Sequence, residues 1–385
     1  MKSKNKIRIG FFTTTRAEFG LLSTLIKSVQ KNNKFISFLF VGGSHTLKSY
    51  GKTINEIKGK KIKISKIFNY ATSKDDPFSI AQTMSISSKR ISSIFNNYNF
   101  DIVCVLGDRY EIIPIILNAI LFKKIIVHIG GGESTQGLID DQIRGMISKS
   151  AHIHFTSSSV YSKKLLGLGE ESKRIFNVGS LSVDALKEVK KISKNQLLRI
   201  YKLDNLKPIA ILTYHPVTLE FGISIEKQIK NMFQALSSFD INLIITSPNI
   251  EVESTKIKNL LLDYVKKNHN YYFFDSLGFE KYHQLLNHID FVIGNSSSGI
   301  IEVPYYKKPT INIGIRQKNR LRHPSIIDVD YSVDSIEKGI KKSLSKKFLK
   351  SIKKMKYLFG SGGTTSKIVN LLINHNKIKD IMYKN

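Results

Sequence analysis

One cysteine, Cys104, stands in 385 residues, so no intrachain disulfide can form. It sits inside the apolar run Asp101–Leu106, where a buried, unreactive thiol is expected. Long apolar runs are also missing. None approaches the roughly 18 residues that a membrane-spanning helix needs. The basic start Met1–Lys6 leads into a short strand-like run and not into a signal peptide's apolar region. A cytoplasmic protein is the expectation. Acidic side chains are scarce: 30 Asp and Glu against 60 Lys and Arg, a formal charge of +30. The excess is mostly lysine spread along the whole chain. It lacks the concentrated basic tracts interleaved with aromatics that a nucleic-acid channel requires. No nucleic-acid partner is expected, although such a field would attract an anionic substrate. No G-x-G-x-x-G follows the first strand, which disfavours NAD binding there. No Cys/His/carboxylate spacing marks a metal site. Neither a metal nor a cofactor is expected.

What is present is an alternation. Apolar, β-branched runs occur at Ile7–Thr14, Phe35–Val41, Ile102–Leu106, Lys124–Ile129, Ile153–Thr156 and Ile175–Val178. A second series follows at Ile209–Tyr214, Asn242–Thr246, Tyr271–Phe274, Phe291–Ile293 and Thr310–Ile313. Helix-length segments such as Leu21–Lys31 and Ile112–Leu121 separate them. Strands alternating with helices predict parallel sheets with right-handed crossovers. Two series and this length predict an α/β protein of two doubly wound Rossmann-like domains facing a cleft. The first is expected over 1–187 and the second over 188–360, with Leu186–Leu203 as connector. Residues 361–385 are read as a final helix packing back on the first domain, the alternative being a surface helix of the second.

In parallel sheets, ligands sit beyond the carboxyl ends of the strands. Arg16 and Glu18 follow the first run, and His45 follows the second. Asp108 and Arg109 follow Ile102–Leu106, and Glu133 follows Lys124–Ile129. His215, Asn249 and the turn Gly294-Asn295-Ser296-Ser297-Ser298-Gly299 end strands of the second series. That turn lies between a strand and a helix, an arrangement that offers backbone N–H groups to a phosphate. Glu302, about one helical turn later, could accept hydrogen bonds from a ribose. Arg16 could supply a bidentate fork to a diphosphate. Arg316 and Arg320 are further phosphate candidates, or else part of a solvated basic loop. Proton transfer calls for neighbouring carboxylates in unlike surroundings, and Asp108, Glu133, Asp140 and Asp141 qualify by position. Either Asp140 or Asp141 could instead cap a helix. Asp108 could equally be a partner of Arg109 or Arg144. His128, His152 and His154 are weaker histidine candidates than the strand-end His45 and His215.

Together these segments resemble the hydrolysing UDP-N-acetylglucosamine 2-epimerases, enzymes of bacterial sialic-acid and legionaminic-acid synthesis. The likeness is carried by Thr15–Gly20, Gly43–His45 with Tyr50–Thr53, Gly107–Glu111, Gly131–Glu133, Ile139–Arg144 and Gly179-Ser180. In the second half it is carried by His215–Thr218, Gly294–Gly299 with Glu302, and Asn312–Gln317. The resemblance implies the glycosyltransferase-B architecture and a homodimer or homotetramer.

It also implies a two-stage reaction on a nucleotide-sugar substrate. The C1–oxygen bond to UDP breaks as the C2 proton leaves, giving a 2-acetamidoglucal. Water then adds at C1 and a proton returns to C2 from the opposite face. The products are N-acetylmannosamine and UDP, feeding a surface polysaccharide. By resemblance Asp108, Glu133 and Asp140 are the acid–base groups. His45 is a further catalytic candidate, and His215 serves the diphosphate. Arg16, Asn249, the Gly294–Gly299 turn, Glu302 and Arg316 hold the nucleotide. Glu18, Arg109, Asp141 and Arg144 line the sugar side. Plain UDP-N-acetylglucosamine is the expected substrate. The alternative is UDP- or GDP-N,N'-diacetylbacillosamine, since Ser276-Leu277-Gly278 ahead of Tyr282 looks closer to the legionaminic branch. Gly130, Gly145 and Ile315 depart from residues common in the family, and the first two border the sugar. A glycosyltransferase of the same architecture and a non-catalytic sugar-nucleotide binder are the competing readings. The first would need a separate acceptor cleft, and the second would not need Asp108, Glu133 and Asp140 together.

Overall fold

The computed structural model describes residues 6–47, 53–70, 76–133, 139–217, 222–249 and 251–374. Tyr50, Gly51, Lys52 and Thr218, which contribute to the resemblance, lie outside these, as do Met1–Asn5 and the last eleven residues of the expected final helix. The described residues form two compact units. One takes those of Met1–Glu133, Asp140–Glu188 and Phe359–Asn385, the other those of Val189–Leu358 together with Ile139.

The first unit is a seven-stranded sheet of β1 (Ile7–Thr13), β2 (Phe35–Gly42), β3 (Lys66–Phe68), β4 (Ile102–Leu106), β5 (Ile125–Ile129), β6 (Ile153–Thr156) and β7 (Ile175–Asn177). Its order is β3-β2-β1-β4-β5-β6-β7, and every pairing is parallel. The second has β8 (Ile209–Thr213), β9 (Asn242–Thr246), β10 (Tyr271–Phe274), β11 (Phe291–Gly294), β12 (Thr310–Ile313) and β13 (Ile326–Val329). These run β10-β9-β8-β11-β12-β13, again parallel. Strand order reverses between β1 and β4, and between β8 and β11. Those switch points are where parallel sheets open a crevice for ligands.

The central strands read as unbroken apolar runs because both faces are covered. One face of the first sheet packs on the helices Arg16–Lys31, Leu181–Lys187 and Thr364–Ile373. The other packs on the helices Pro77–Asn97, Ile113–Leu121 and Ile139–Ser150, through Ile91, Ile115 and Ile147. The Arg16–Lys31 helix shows how local sequence sets this up. Thr15 caps its start, with a reciprocal bond from Glu18. Leu22, Leu25, Ile26 and Val29 recur at helical spacing and are fully buried. Each such side chain contributes roughly 1.5–3 kcal/mol by leaving water. The Thr364–Ile373 helix buries Ile368, Val369 and Leu372 in the first unit's core. Asp184 fixes its start by accepting from the Gly363 and Thr365 N–H groups at 2.7 and 2.6 Å. Cys104 lies in this core, where burial pushes its thiol pKa up. Among the described residues no helix is long and apolar enough to cross a membrane.

Candidate active site

In the first unit, three chain segments meet at Arg144. This residue lies one turn into the Ile139–Ser150 helix, and its side chain is only 5% exposed. One guanidinium nitrogen donates to the Asp108 carboxylate just past β4. Another donates to the Gly130 carbonyl at 2.8 Å, past β5, and stands 4.0 Å from the Glu133 carboxylate. Asp140 and Asp141 occupy the first turn of the same helix. Burial alone would lower the Arg144 pKa. The fields of Asp108, Glu133, Asp140 and Asp141 outweigh it and raise the value, so the cation is locked in. Between the two partners left open for Asp108, the structure selects Arg144. Ser157, at the end of β6, donates to the other Glu133 oxygen at 3.2 Å. Asp108 and Glu133 remain 18% and 12% exposed. Carboxylates that are anchored yet reachable suit proton transfer.

Three residues expected here do other work. His45 is fully buried, with Nε2 at 3.1 Å from the Thr13 hydroxyl and Nδ1 at 2.8 Å from that of Thr53. Burial lowers its pKa to about 4, which makes it a neutral packing histidine. Arg109 turns to Glu111, with paired nitrogen–oxygen distances of 3.2 Å. Glu18 spends its carboxylate on the helix start, accepting from the Thr14 and Thr15 N–H groups at 2.8 and 3.2 Å. Burial, reinforced by Glu111, raises its pKa to about 7. A carboxyl raised in the folded state binds its proton more tightly there than in the unfolded chain. Its stabilising effect is full below pH ~4.5 and is lost as pH rises through about 7. Thermal unfolding of wild type and Glu18→Gln should show this. The wild type's relative stability should fall between pH 5 and pH 8, and a pH-independent difference would disprove it. Arg16, the first residue of its helix, is partly exposed at the end of β1.

His152 and His154 are also structural. His152 Nδ1 accepts from the Ile126 N–H at 3.1 Å. His154 pairs with the buried Glu170 at 3.0 Å.

The second unit organises its turn around Asn295. Gly294 has φ +130, and a Cβ there would lie 2.1 Å from the Thr213 carbonyl oxygen, so only glycine fits. Asn295 is 1% exposed. Its amide bridges the His215 backbone, accepting from N–H at 2.7 Å and donating to the carbonyl at 2.8 Å. Gln317 donates to the Asn295 carbonyl at 2.8 Å. His215 Nδ1 accepts from the Asn249 N–H at 3.2 Å. A neutral His215 ring therefore carries its proton on Nε2, which makes that nitrogen a donor. Ser296, Ser297 and Ser298 are partly exposed, and the Ser298 hydroxyl lies 2.8 Å from that of Tyr282. Gly299 packs so closely that a Cβ would meet Thr310 Cγ2 at 2.6 Å. Glu302 is held 3.9 Å from His283 Nε2, with its side chain 17% exposed. Asn249 is exposed. Arg316 departs from expectation. It is buried, bonds Glu251 at 3.0 and 3.2 Å, and donates to the Pro216 carbonyl at 3.2 Å. It braces the His215 loop.

A family model described as UDP-N-acetylglucosamine 2-epimerase matches residues 27–373. The chain belongs to that family. It is 37% identical over 385 residues to a GDP/UDP-N,N'-diacetylbacillosamine 2-epimerase (hydrolyzing) of Campylobacter jejuni, covering 100% of this chain and 99% of that protein. It is 30% identical over 375 residues to a UDP-N,N'-diacetylbacillosamine 2-epimerase (hydrolyzing) of Legionella pneumophila, covering 95% of each. The fold matches a crystal structure of UDP-GlcNAc 2-epimerase from Neisseria meningitidis bound to UDP-GlcNAc. The TM-score is 0.82 at 15% identity, covering 96% of this chain and 100% of that one. The architecture is thus the two-domain glycosyltransferase-B type seen in the epimerase family. The protein is an enzyme acting on nucleotide sugars, of the hydrolysing 2-epimerase kind.

Some site contacts of this family member escape a reading of the sequence. Ser157 follows β6 as Asp108 and Glu133 follow their strands, and the same strand-end rule would have found it. Glu251 and Gln317 carry no local signal, because they act only on residues distant in sequence.

Proposed function

We propose that this chain is a hydrolysing 2-epimerase whose substrate is UDP- or GDP-linked N,N'-diacetylbacillosamine. The full-length 37% identity to the Campylobacter jejuni enzyme carries this reading. It reverses the expectation that placed UDP-N-acetylglucosamine first. In the proposed reaction the C1–oxygen bond breaks and its electron pair leaves on the nucleoside diphosphate. The C2 proton passes to a carboxylate, leaving a C1–C2 double bond. Water then adds its hydroxyl at C1, and a proton enters C2 from the opposite face. Asp108, Glu133 and Asp140 share the proton transfers, with Arg144 holding the group in register. His215 Nε2–H and the Ser296–Gly299 turn, with Arg16, stabilise the departing diphosphate. Glu302 takes the ribose.

The test is incubation in deuterated water with UDP-N-acetylglucosamine and with each diacetamido nucleotide sugar. The expected result is free 2-epimerised diacetamido sugar carrying one deuterium at C2. Nucleotide release without deuterium uptake would reduce the activity to simple hydrolysis and overturn the reading.

Gly145, beside Arg144, supports the choice of sugar. A Cβ there would meet no described atom within 4 Å. That space suits the 4-acetamido group. Gly145→His should shift kcat/KM by about tenfold or more toward the sugar without it. An unchanged ratio between the two sugars would remove Gly145 from the specificity argument.

A second copy of the chain is proposed as partner. The Ile113–Leu121 helix carries no charged residue, and Leu117, Ile120 and Leu121 stand 50%, 51% and 67% exposed on it. Phe78 and Ile86 are exposed on the helix packed beside it. For a chain of charge +30, an uncharged apolar face is where two copies meet without opposing like charges. Light scattering should give a dimer or larger, with Leu117→Glu/Leu121→Glu monomeric. A monomeric wild type would refute it.

A further inference from the structure

His128 is fully buried near the end of β5 and touches no expected substrate group. Its contacts nevertheless reach all three segments that carry the acids. Nε2 lies 2.8 Å from the Gly107 carbonyl, the residue before Asp108. A carbonyl can only accept, so Nε2 carries the proton and a neutral ring must accept at Nδ1. The Ser148 hydroxyl is 3.1 Å from Nδ1 and fills that role. Ser148 stands one turn beyond Arg144 and two beyond Asp140, on the same helix face. Gly131, two residues before Glu133, closes over the pair. A Cβ at Gly131 would lie 3.1 Å from both His128 Nδ1 and Ser148 Oγ. A larger residue there would press on both side chains, and one of them would have to give by a few tenths of an ångström.

The contacts close a ring. Ser148 orients His128, which fixes the Gly107 peptide ahead of Asp108. Asp108 binds Arg144, and Arg144 returns to the helix that bears Ser148. Gly107 has φ +92, a conformation of a residue with little steric preference of its own, so an outside contact must set the plane of its peptide. Burial lowers the His128 pKa to about 3. The ring therefore stays neutral in one tautomer throughout the working range.

From this geometry we propose that His128 and Ser148 are positioning residues for the acid–base carboxylates, setting the direction of Asp108 relative to Arg144 and Glu133. Neither touches the substrate. Displacement of a reacting group by an ångström costs rate far more than binding. The effect therefore belongs in kcat and not in KM. The proposal rests on the epimerase reading given above.

The test compares Ser148→Ala, His128→Gln and His128→Asn by steady-state kinetics with deuterium incorporation at C2. A glutamine amide nitrogen reaches where Nε2 lies, and an asparagine amide reaches only where Nδ1 lies. Ser148→Ala is expected to lower kcat about tenfold with KM within twofold. His128→Asn should lower kcat by about a hundredfold. His128→Gln should recover most of that loss, because it restores the donor to Gly107. Folding is followed in parallel by thermal unfolding. Wild-type kcat in a folded Ser148→Ala or His128→Asn protein would overturn the positioning role. So would equal losses in the Gln and Asn variants that track their folded fraction. An inactive wild type would overturn the epimerase reading and this proposal together. An active wild type with indifferent variants overturns only the latter.

Discussion

Asp108→Asn should lower kcat by about a thousandfold while leaving the fold and nucleotide binding in place. The magnitude is that of a lost acid–base group. Asparagine keeps the size of the side chain and an oxygen that can still accept from Arg144. It cannot take up or return a proton. The guanidinium is not orphaned either, since Glu133 lies 4.0 Å away and Asp140 and Asp141 still act on it. Retained binding is measured by titration with the free nucleoside diphosphate, and the fold by circular dichroism. Product analysis adds the sequence of events. If Asp108 acts in the second stage, the unsaturated intermediate will accumulate. If it acts in the first, no intermediate and no C2 deuterium will appear. Turnover within threefold of wild type would remove Asp108 from proton transfer and leave it as the anchor of Arg144.

Glu251→Ala should destabilise the second unit by about 3–5 kcal/mol, because it strands a buried arginine. The Arg316 and Glu251 side chains are 6% and 7% exposed, and the bridge spans 65 residues of sequence. A loss of that size is a large share of the roughly 5–15 kcal/mol that holds a domain folded. Removing both charges, as Glu251→Ala with Arg316→Met, should recover most of it, since no unpaired charge then remains. Denaturant unfolding followed by a probe on the second unit gives the comparison. A cost below about 1 kcal/mol for Glu251→Ala would show that the pair is solvated like a surface bridge. Arg316 also holds the Pro216 carbonyl beside His215. The single variant should therefore also bind the nucleotide more weakly, through the loosened His215 loop.

The element pattern was legible because central parallel strands are buried on both faces, and burial on both faces writes an apolar run into the sequence. The two strands that pattern reading missed, β3 and β13, are both edge strands. β3 has three residues, one of them Lys66, and β13 places the exposed Asp328 in its middle. With one neighbour each, their residues need not be apolar throughout. Strand ends were likewise a sound guide to polar residues gathered at the sheet edge. They could not tell a side chain that points outward from one that turns back. His45, Arg109, Glu18 and Arg316 all occupy promising positions, and each is bound inward by the hydroxyls, carboxylates or backbone donors around it.

Sequence alone was enough for the two-series α/β architecture, the strand-to-helix turn at Gly294–Gly299 and the epimerase resemblance. All three depend on local pattern: periodicity, glycine where φ is positive, and short ordered motifs. Tertiary structure decided which polar groups became partners. Arg144 gathers carboxylates from Asp108 to Asp141, and His128 ties the Gly107 peptide to Ser148, across separations of 36, 21 and 20 residues. Such pairings depend on how far apart the folded backbone holds two atoms, and no periodicity along the chain encodes that distance.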